Sequence, residues 1–236
     1  MTNTIEDVQP RTMSRIAGFL YLSFIIFMAT ANVVGRMGII VDGDAAATAA
    51  NIIAKGMRFR IGFVSDLLSA LLFLLTAWAL YALLKPVNRT VALLFLLLNA
   101  CGVAMQCFSM ILLYAALPLL SGGGYLAAFT SDQLNAQALF FLGLYKAGFT
   151  SAKLFFGAWT LPLGYLVFKS GFLPKALGVL LMLDCLAVFV WFFQFFFLPS
   201  LPAISYTCYA VSFVAEVSLT LWLLMKGIKV ESPRVV

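Results

Sequence analysis

Long apolar runs, separated by charges or turn residues, constrain this chain more than any other feature. A helix needs about 20 mostly apolar residues to cross a bilayer, and six runs reach that length, at residues 16–35, 61–84, 90–116, 138–168, 175–197 and 203–225. Hydrophobic residues make up 64% of the 236 residues and charged residues 10%, whereas soluble domains are about 45 to 50% apolar and about 25% charged. The sequence therefore predicts an all-α integral membrane bundle of six transmembrane helices, with residues 1–236 as a single domain.

Proline, glycine and charged residues mark the ends of these spans. Lys85-Pro86 closes the second span, because proline lacks a backbone N–H and disfavours a helical conformation in the residue before it. The third span is expected to end before Pro118. The fourth is too long for one crossing, so its N-terminal turns are expected to protrude or tilt. Pro199 and Pro202 predict a tight turn between the fifth and sixth spans.

The loop between the first two spans predicts a short helix of its own. Asp44 is a suitable N-cap for residues 45–54, and Gly56 is a suitable stop. We expect this helix to lie on the outer membrane face, followed by an interfacial hinge at residues 57–60.

Basic residues predict the orientation, because cytoplasmic loops carry an excess of Lys and Arg. One side of the membrane would hold nine: Arg11, Arg15, Lys85, Arg89, Lys169, Lys175, Lys226, Lys229 and Arg234. The other would hold four: Arg36, Lys55, Arg58 and Arg60. Residues 1–14 and 226–236 are therefore predicted to be cytoplasmic tails. Contact with anionic lipid headgroups accounts for the net charge of +6, and no nucleic-acid partner is expected.

The first run has an alternative interpretation as a secretory signal peptide. Arg11 and Arg15 precede an apolar stretch at residues 16–28, and Ala29-Thr30-Ala31 matches an A-x-A cleavage pattern. Cleavage would leave five helices and an outside N-terminus. We favour a retained helix, because apolar residues continue to Val34.

Residue types exclude much chemistry. The chain has no histidine, so it cannot form a His-centred metal site, a haem with a His axial ligand or a Ser-His-Asp triad. Its cysteines lie in predicted helices at spacings that match neither C-x-x-C nor a zinc set: Cys101, Cys107, Cys185 and Cys208. We expect no disulfide between Cys101 and Cys185, no metal and no cofactor.

Polar residues inside the predicted spans are the candidate site residues, because they are costly in a membrane and usually face the bundle interior. They are Asp66, Asn99, Gln106, Lys146, Lys153, Asp184 and Glu216. Counted at about 1.5 Å per residue, Asn99, Asp184 and Glu216 lie roughly 12 to 15 Å deep, near the middle of the bilayer. We predict a middle cluster of these three. An outer cluster would join Asp66 to the two lysines, which share a helix face, with Gln106 in the same half.

Two interpretations of the middle cluster remain open. Adjacent buried carboxyls could bind a proton or cation, or they could be neutral, hydrogen-bonded groups that only hold helices together. Sequence patterns of an enzyme active site have less support than either interpretation. Asp184 lacks the G-x-G-D context of an intramembrane aspartyl protease, and Ser151 and Lys153 are two residues apart, which places their side chains on different helix faces. No catalytic residue is predicted.

Several linked segments resemble a bacterial membrane-protein family catalogued as domain of unknown function 4386, over residues 13–215. They are RIAGFLYL at 15–22, GDAAATA at 43–49, NI at 51–52, RIGFVSD at 60–66, LYALLKPVNR at 80–89, FFG at 155–157, GYL at 164–166, KSGFLPK at 169–175 and LGVL at 177–180.

The resemblance implies a retained first helix, a multi-helix protein of the bacterial inner membrane and no established activity. Relatives often have a histidine near Tyr145 or Lys146, which this chain lacks, so a role of that imidazole does not transfer. Asp66 lies inside a resembling segment and ranks first among the candidates. The function expected is non-enzymatic binding of a small molecule or ion within the bilayer, extending to transport. The alternative is a structural or regulatory membrane protein whose buried polar residues hold helices or partners together.

Overall fold

The structure is a computed structural model that describes residues 9–228, apart from the side chain of Tyr125. The described residues form seven α-helices and no strand: α1 Pro10–Val33, α2 Ala45–Ala54, α3 Gly56–Leu84, α4 Arg89–Ser121, α5 Ser131–Lys169, α6 Lys175–Phe197 and α7 Pro202–Met225. A short 3-10 turn, Gly124–Leu126, precedes α5. The all-α class is confirmed. Lys229, Arg234 and most of the two predicted tails lie outside the described residues.

Five of these helices are long and apolar enough to cross a membrane, namely α1, α3, α4, α6 and α7. A multi-pass membrane protein is therefore supported. The longest helix, α5, has 39 residues but is not among the five. Lys146, Lys153 and the polar first turns at Ser131 and Asp132 lower its hydropathy. A sixth crossing stays a prediction.

The end predicted for the third span is wrong, because α4 continues through Pro118 to Ser121. Pro118 cannot donate to the Tyr114 carbonyl, and its ring crowds that carbonyl, yet α4 continues for three more residues. The Ser121 hydroxyl also donates to the Leu117 carbonyl at 2.7 Å and closes the last turn. The predicted boundary was therefore one turn short.

The loop helix α2 begins as predicted, but the segment after it differs from the predicted hinge. The Asp44 carboxylate accepts from the Ala47 N–H at 2.8 Å, which confirms the N-cap. α2 ends at Ala54, as predicted, but Gly56 does not open a loop, since it is the first residue of α3. The hinge predicted at residues 57–60 is likewise wrong, because Phe59 is 2% exposed in an apolar core and Arg58 donates to the Val34 carbonyl at 3.0 Å.

The described residues divide into two compact units, with boundaries inside α1, α3, α4 and α5. The first unit comprises residues 9–22, 72–102 and 153–228, and the second comprises residues 23–71 and 103–152. The single-domain organisation stays a prediction.

The second unit is held by an apolar cluster and a close approach of two glycines. Ile39, Ile52 and Phe59 pack with residues of α4 and α5. A Cβ atom added to Gly35 would lie 2.3 Å from the Gly62 Cα, so side chains of any size are excluded there. Glycine at both positions therefore lets the segment after α1 contact the backbone of α3.

The first unit contains a connected series of aromatic rings. Phe73 on α3 contacts Tyr21 on α1 at 6.1 Å between centroids and Trp159 on α5 at 5.0 Å. Phe95 on α4 lies 6.2 Å from Trp159. Helix α6 packs against α7, and the Ser14 hydroxyl on α1 donates to the Leu223 carbonyl on α7 at 3.4 Å. These contacts place the helix segments of this unit beside one another.

Candidate functional site

Six helices of the first unit each contribute one polar residue at a similar depth. Counted from the helix ends that carry basic residues, these positions lie roughly 12 to 17 Å along their helices at about 1.5 Å per residue. We call this set the polar layer: Tyr21, Thr76, Asn99, Thr160, Asp184 and Glu216. Glu216 is half-buried and the other five are buried. Polar groups on six helices at one expected depth of a membrane bundle are therefore the leading candidate site.

Asp184 and Glu216 form an interacting carboxyl pair between α6 and α7. The two groups lie close enough to interact electrostatically. The Tyr21 hydroxyl from α1 lies beside Glu216 and interacts with it electrostatically. Tyr21 therefore joins α1 to the carboxyl pair.

Asp184 is a fully buried carboxyl whose oxygens lack hydrogen bonds. The Ser212 hydroxyl is its neighbouring donor, yet neither that hydroxyl nor either Asp184 carboxylate oxygen completes a hydrogen bond within residues 9–228. The residue is 0% exposed. Because a buried carboxylate without a partner is costly, Asp184 is the group in this layer that most needs a proton, a cation or a water.

Asn99 is a second buried group that lacks a partner in the described part of the chain. It is 0% exposed, and neither its amide nitrogen nor its amide oxygen has a hydrogen bond there. It lies in the same unit as the carboxyl pair. The layer thus offers carboxylate, hydroxyl and amide oxygens. Residues 9–228 contain no group of three or more Cys, Asp or Glu side chains that could hold a metal.

Asp66 has a different partner from the one predicted. In the second unit its carboxylate forms a bidentate ion pair with Arg36, including a contact of 3.2 Å between Arg36 Nη2 and Asp66 Oδ1. Asp66 is 2% exposed, and the Arg36 Cζ lies 5.7 Å from the centre of the Tyr145 ring. The predicted pairing with lysine is corrected accordingly. Arg36 had been counted as a loop residue, and only the approach of Gly35 to Gly62 brings it onto α3.

The two lysines of α5 do not form the expected cluster. Lys146 makes an exposed ion pair with Asp42, at 3.4 Å between Nζ and Oδ1. Lys153 lies in the other unit, where its Nζ is 3.1 Å from the centre of the Trp191 ring. It is 8% exposed, so this contact is largely desolvated.

The predicted candidates divide between the units as Asn99, Lys153, Asp184 and Glu216 in the first and Asp66, Gln106 and Lys146 in the second. Gln106 is 4% exposed. The sequence analysis missed Tyr21, Arg36 and Ser212. A tyrosine or serine in an apolar span is common, so these residues gave no signal before their neighbours were known.

Comparisons with known proteins identify a family and no activity. The sequence model described as Domain of unknown function (DUF4386) matches residues 16–227. An uncharacterised protein of Archaeoglobus fulgidus is 28% identical over 159 residues, which are 65% of this chain and 75% of the relative. Similar chains therefore also occur in an archaeon. No solved structure matches.

Proposed function

The chain belongs to the family Domain of unknown function (DUF4386), and we propose that it is a non-enzymatic, multi-pass membrane protein that binds a small cation in the polar layer. The observation that carries the proposal is Asp184, whose two carboxylate oxygens are buried without a hydrogen bond beside a second carboxyl, Glu216. A proton needs no set of ligands, and a hard cation is held by oxygen ligands of the kind that this layer contains.

The physical basis is the cost of negative charge in a membrane interior. An ionised side chain in a span costs a few kcal/mol at the bilayer centre, and two neighbouring carboxylates add their repulsion. Binding one positive charge relieves both costs. The Asn99 amide oxygen at the same depth supplies a neutral ligand of the kind that hard cations accept.

A structural role is the second candidate, and one observation favours it. Glu216 contacts Tyr21 across α1 and α7, which is what polar residues that join helices do. In this case the layer would contribute to stability and show no separate response to ions.

Transport would extend the first candidate, since a bound ion at this depth lies between the two membrane faces.

We expect Asp184→Asn to keep the fold while removing the response to cations and pH. The amide keeps the shape and removes one charge of a repelling pair, so the melting temperature should stay constant or rise. The wild-type melting temperature should change between about pH 4 and 9, and between alkali and choline salts, because only a charged carboxylate couples stability to these ions. Purified full-length protein would be compared with the variant by thermal unfolding.

Asp66→Asn is the matched control, since it is the same substitution at a paired carboxylate. It should lower the melting temperature and leave the ion response in place. If Asp184→Asn melts earlier than wild type and the wild-type profile is flat, the layer is structural and the proposed binding is wrong.

We also propose six crossings, with α5 as the additional span and both termini in the cytoplasm of a bacterial inner membrane. The excess of basic residues on one side supports this orientation. In a variant without the four native cysteines, Asp132→Cys should react with an impermeant maleimide on intact cells. Ser170→Cys should react only after permeabilisation. Labelling of both positions from outside would show that α5 does not cross.

A further inference from the structure

The helix ends of the first unit carry cations, and among residues 9–228 no acidic residue of this unit lies at these ends. Six are exposed: Arg11, Arg15, Arg89, Lys169, Lys175 and Lys226. Within the described part of this unit, the only acidic residues are Asp184 and Glu216, both in the polar layer. The charge at these ends is therefore not balanced by described residues of the unit.

Four of the five cations of the second unit behave differently, Arg60 being the exception. Arg36 and Lys146 pair with aspartates, while Lys55 and Arg58 donate to backbone carbonyls at 2.9 and 3.0 Å. No oxygen within residues 9–228 accepts a hydrogen bond from any of the six exposed cations of the first unit. The guanidinium and ammonium groups at these helix ends thus remain available to an external anion.

Two of these cations lie side by side where α1 begins and α7 ends. The Ser14–Leu223 hydrogen bond joins the helices, and a Cβ at Gly227 would lie 3.7 Å from the Arg11 Cγ. Gly227 has a φ of +64°, a left-handed conformation that turns the chain directly after Lys226. Arg11 therefore lies against the end of α7 that carries Lys226.

An aromatic ring completes this end of the unit. The Lys226 Nζ lies 4.7 Å from the centre of the Trp222 ring. Tryptophan is enriched at the headgroup level of membranes, where its apolar ring and polar N–H contact different phases. Arg15 follows Arg11 by one helical turn and is also exposed, so a third cation extends the same face.

We propose that this end of α1 and α7 binds the headgroup of an anionic phospholipid, with the phosphodiester between Arg11 and Lys226. Guanidinium is a planar donor that matches phosphate oxygens, and basic pockets between membrane helices bind acidic headgroups. A lipid is the occupant of choice because the helix ends lie where phosphate groups occur in a bilayer. This site is independent of the cation site proposed above.

The test uses the full-length protein in nanodiscs of phosphatidylcholine with increasing phosphatidylglycerol, and native mass spectrometry to count retained phosphatidylglycerol. Arg11→Gln with Lys226→Gln should weaken retention on the order of 30-fold, since each cation near an anionic surface strengthens the binding about fivefold. Lys169→Gln with Lys175→Gln is the matched control, because it removes the same charge from the α5–α6 turn. It should retain the lipid far better.

Arg11→Lys with Lys226→Arg keeps the charge and should restore retention, which separates lost binding from lost folding. Equal loss in both glutamine variants would reduce the effect to general surface charge and overturn the site. Unchanged retention in Arg11→Gln with Lys226→Gln would also overturn it. Inorganic phosphate alone should not compete at millimolar concentration, and full displacement by it would identify a free anion as the ligand instead.

Discussion

Arg36→Met is expected to lower the free energy of unfolding by about 3 to 5 kcal/mol. The substitution removes the cation that holds the buried Asp66 carboxylate and leaves an uncompensated charge. Arg36 also lies over the Tyr145 ring, so some packing is lost as well. The free energy of unfolding would be measured on purified protein in detergent, by thermal and by chemical denaturation.

The double variant Arg36→Met with Asp66→Leu is the decisive comparison. Replacing both partners by apolar residues of similar volume is often neutral or stabilising, so the double variant should recover most of the lost stability. Lys146→Met is the comparison at an exposed ion pair. It should change the free energy of unfolding by less than about 1 kcal/mol, since the pair of Lys146 with Asp42 is solvated. If Arg36→Met and Lys146→Met cost the same, the Arg36–Asp66 pair is not a buried interaction.

Gly62→Ala is expected to destabilise the second unit by about 3 kcal/mol. Its new Cβ would lie 2.5 Å from the Gly35 Cα, and a backbone atom cannot move aside as the end of a flexible side chain can. Separation of these segments would also displace Arg36 from Asp66. The melting temperature and the yield of monodisperse protein should both fall.

Gly143→Ala provides the matched control on α5 in the same unit. No heavy atom lies within 4 Å of a Cβ added at that position. Alanine is the better helix former, so this variant should gain up to about 1 kcal/mol. Equal melting temperatures for the two alanine variants would argue against the close contact of Gly35 and Gly62.

These two predictions concern contacts that sequence patterns indicate poorly. The helical class, the positions of five apolar helices and the Asp44 cap follow from local properties, namely hydropathy over one helix length and a side chain that reaches its own backbone. The errors at Pro118 and Gly56 are also local. Both residues usually end helices, and here a terminal turn and the packing of Phe59 outweigh that preference.

The candidate site shows the same division more sharply. Counting residues from helix ends placed Asn99, Asp184 and Glu216 at one depth, because an α-helix rises by a constant distance per residue. The contribution of Tyr21 and Ser212 depends on how α1, α6 and α7 pack, which residue counting does not specify.

The presence of long apolar helices and their approximate positions were thus available from the amino-acid sequence, since each depends on a single helix and its composition. The partner of each charge was not. Asp66 binds Arg36, which precedes it by 30 residues, because two glycines allow their backbones to touch. Lys146 and Lys153, which share a helix, lie against different neighbours. Ion pairs form between nearby atoms of different segments, and only the tertiary structure decides which segments are near.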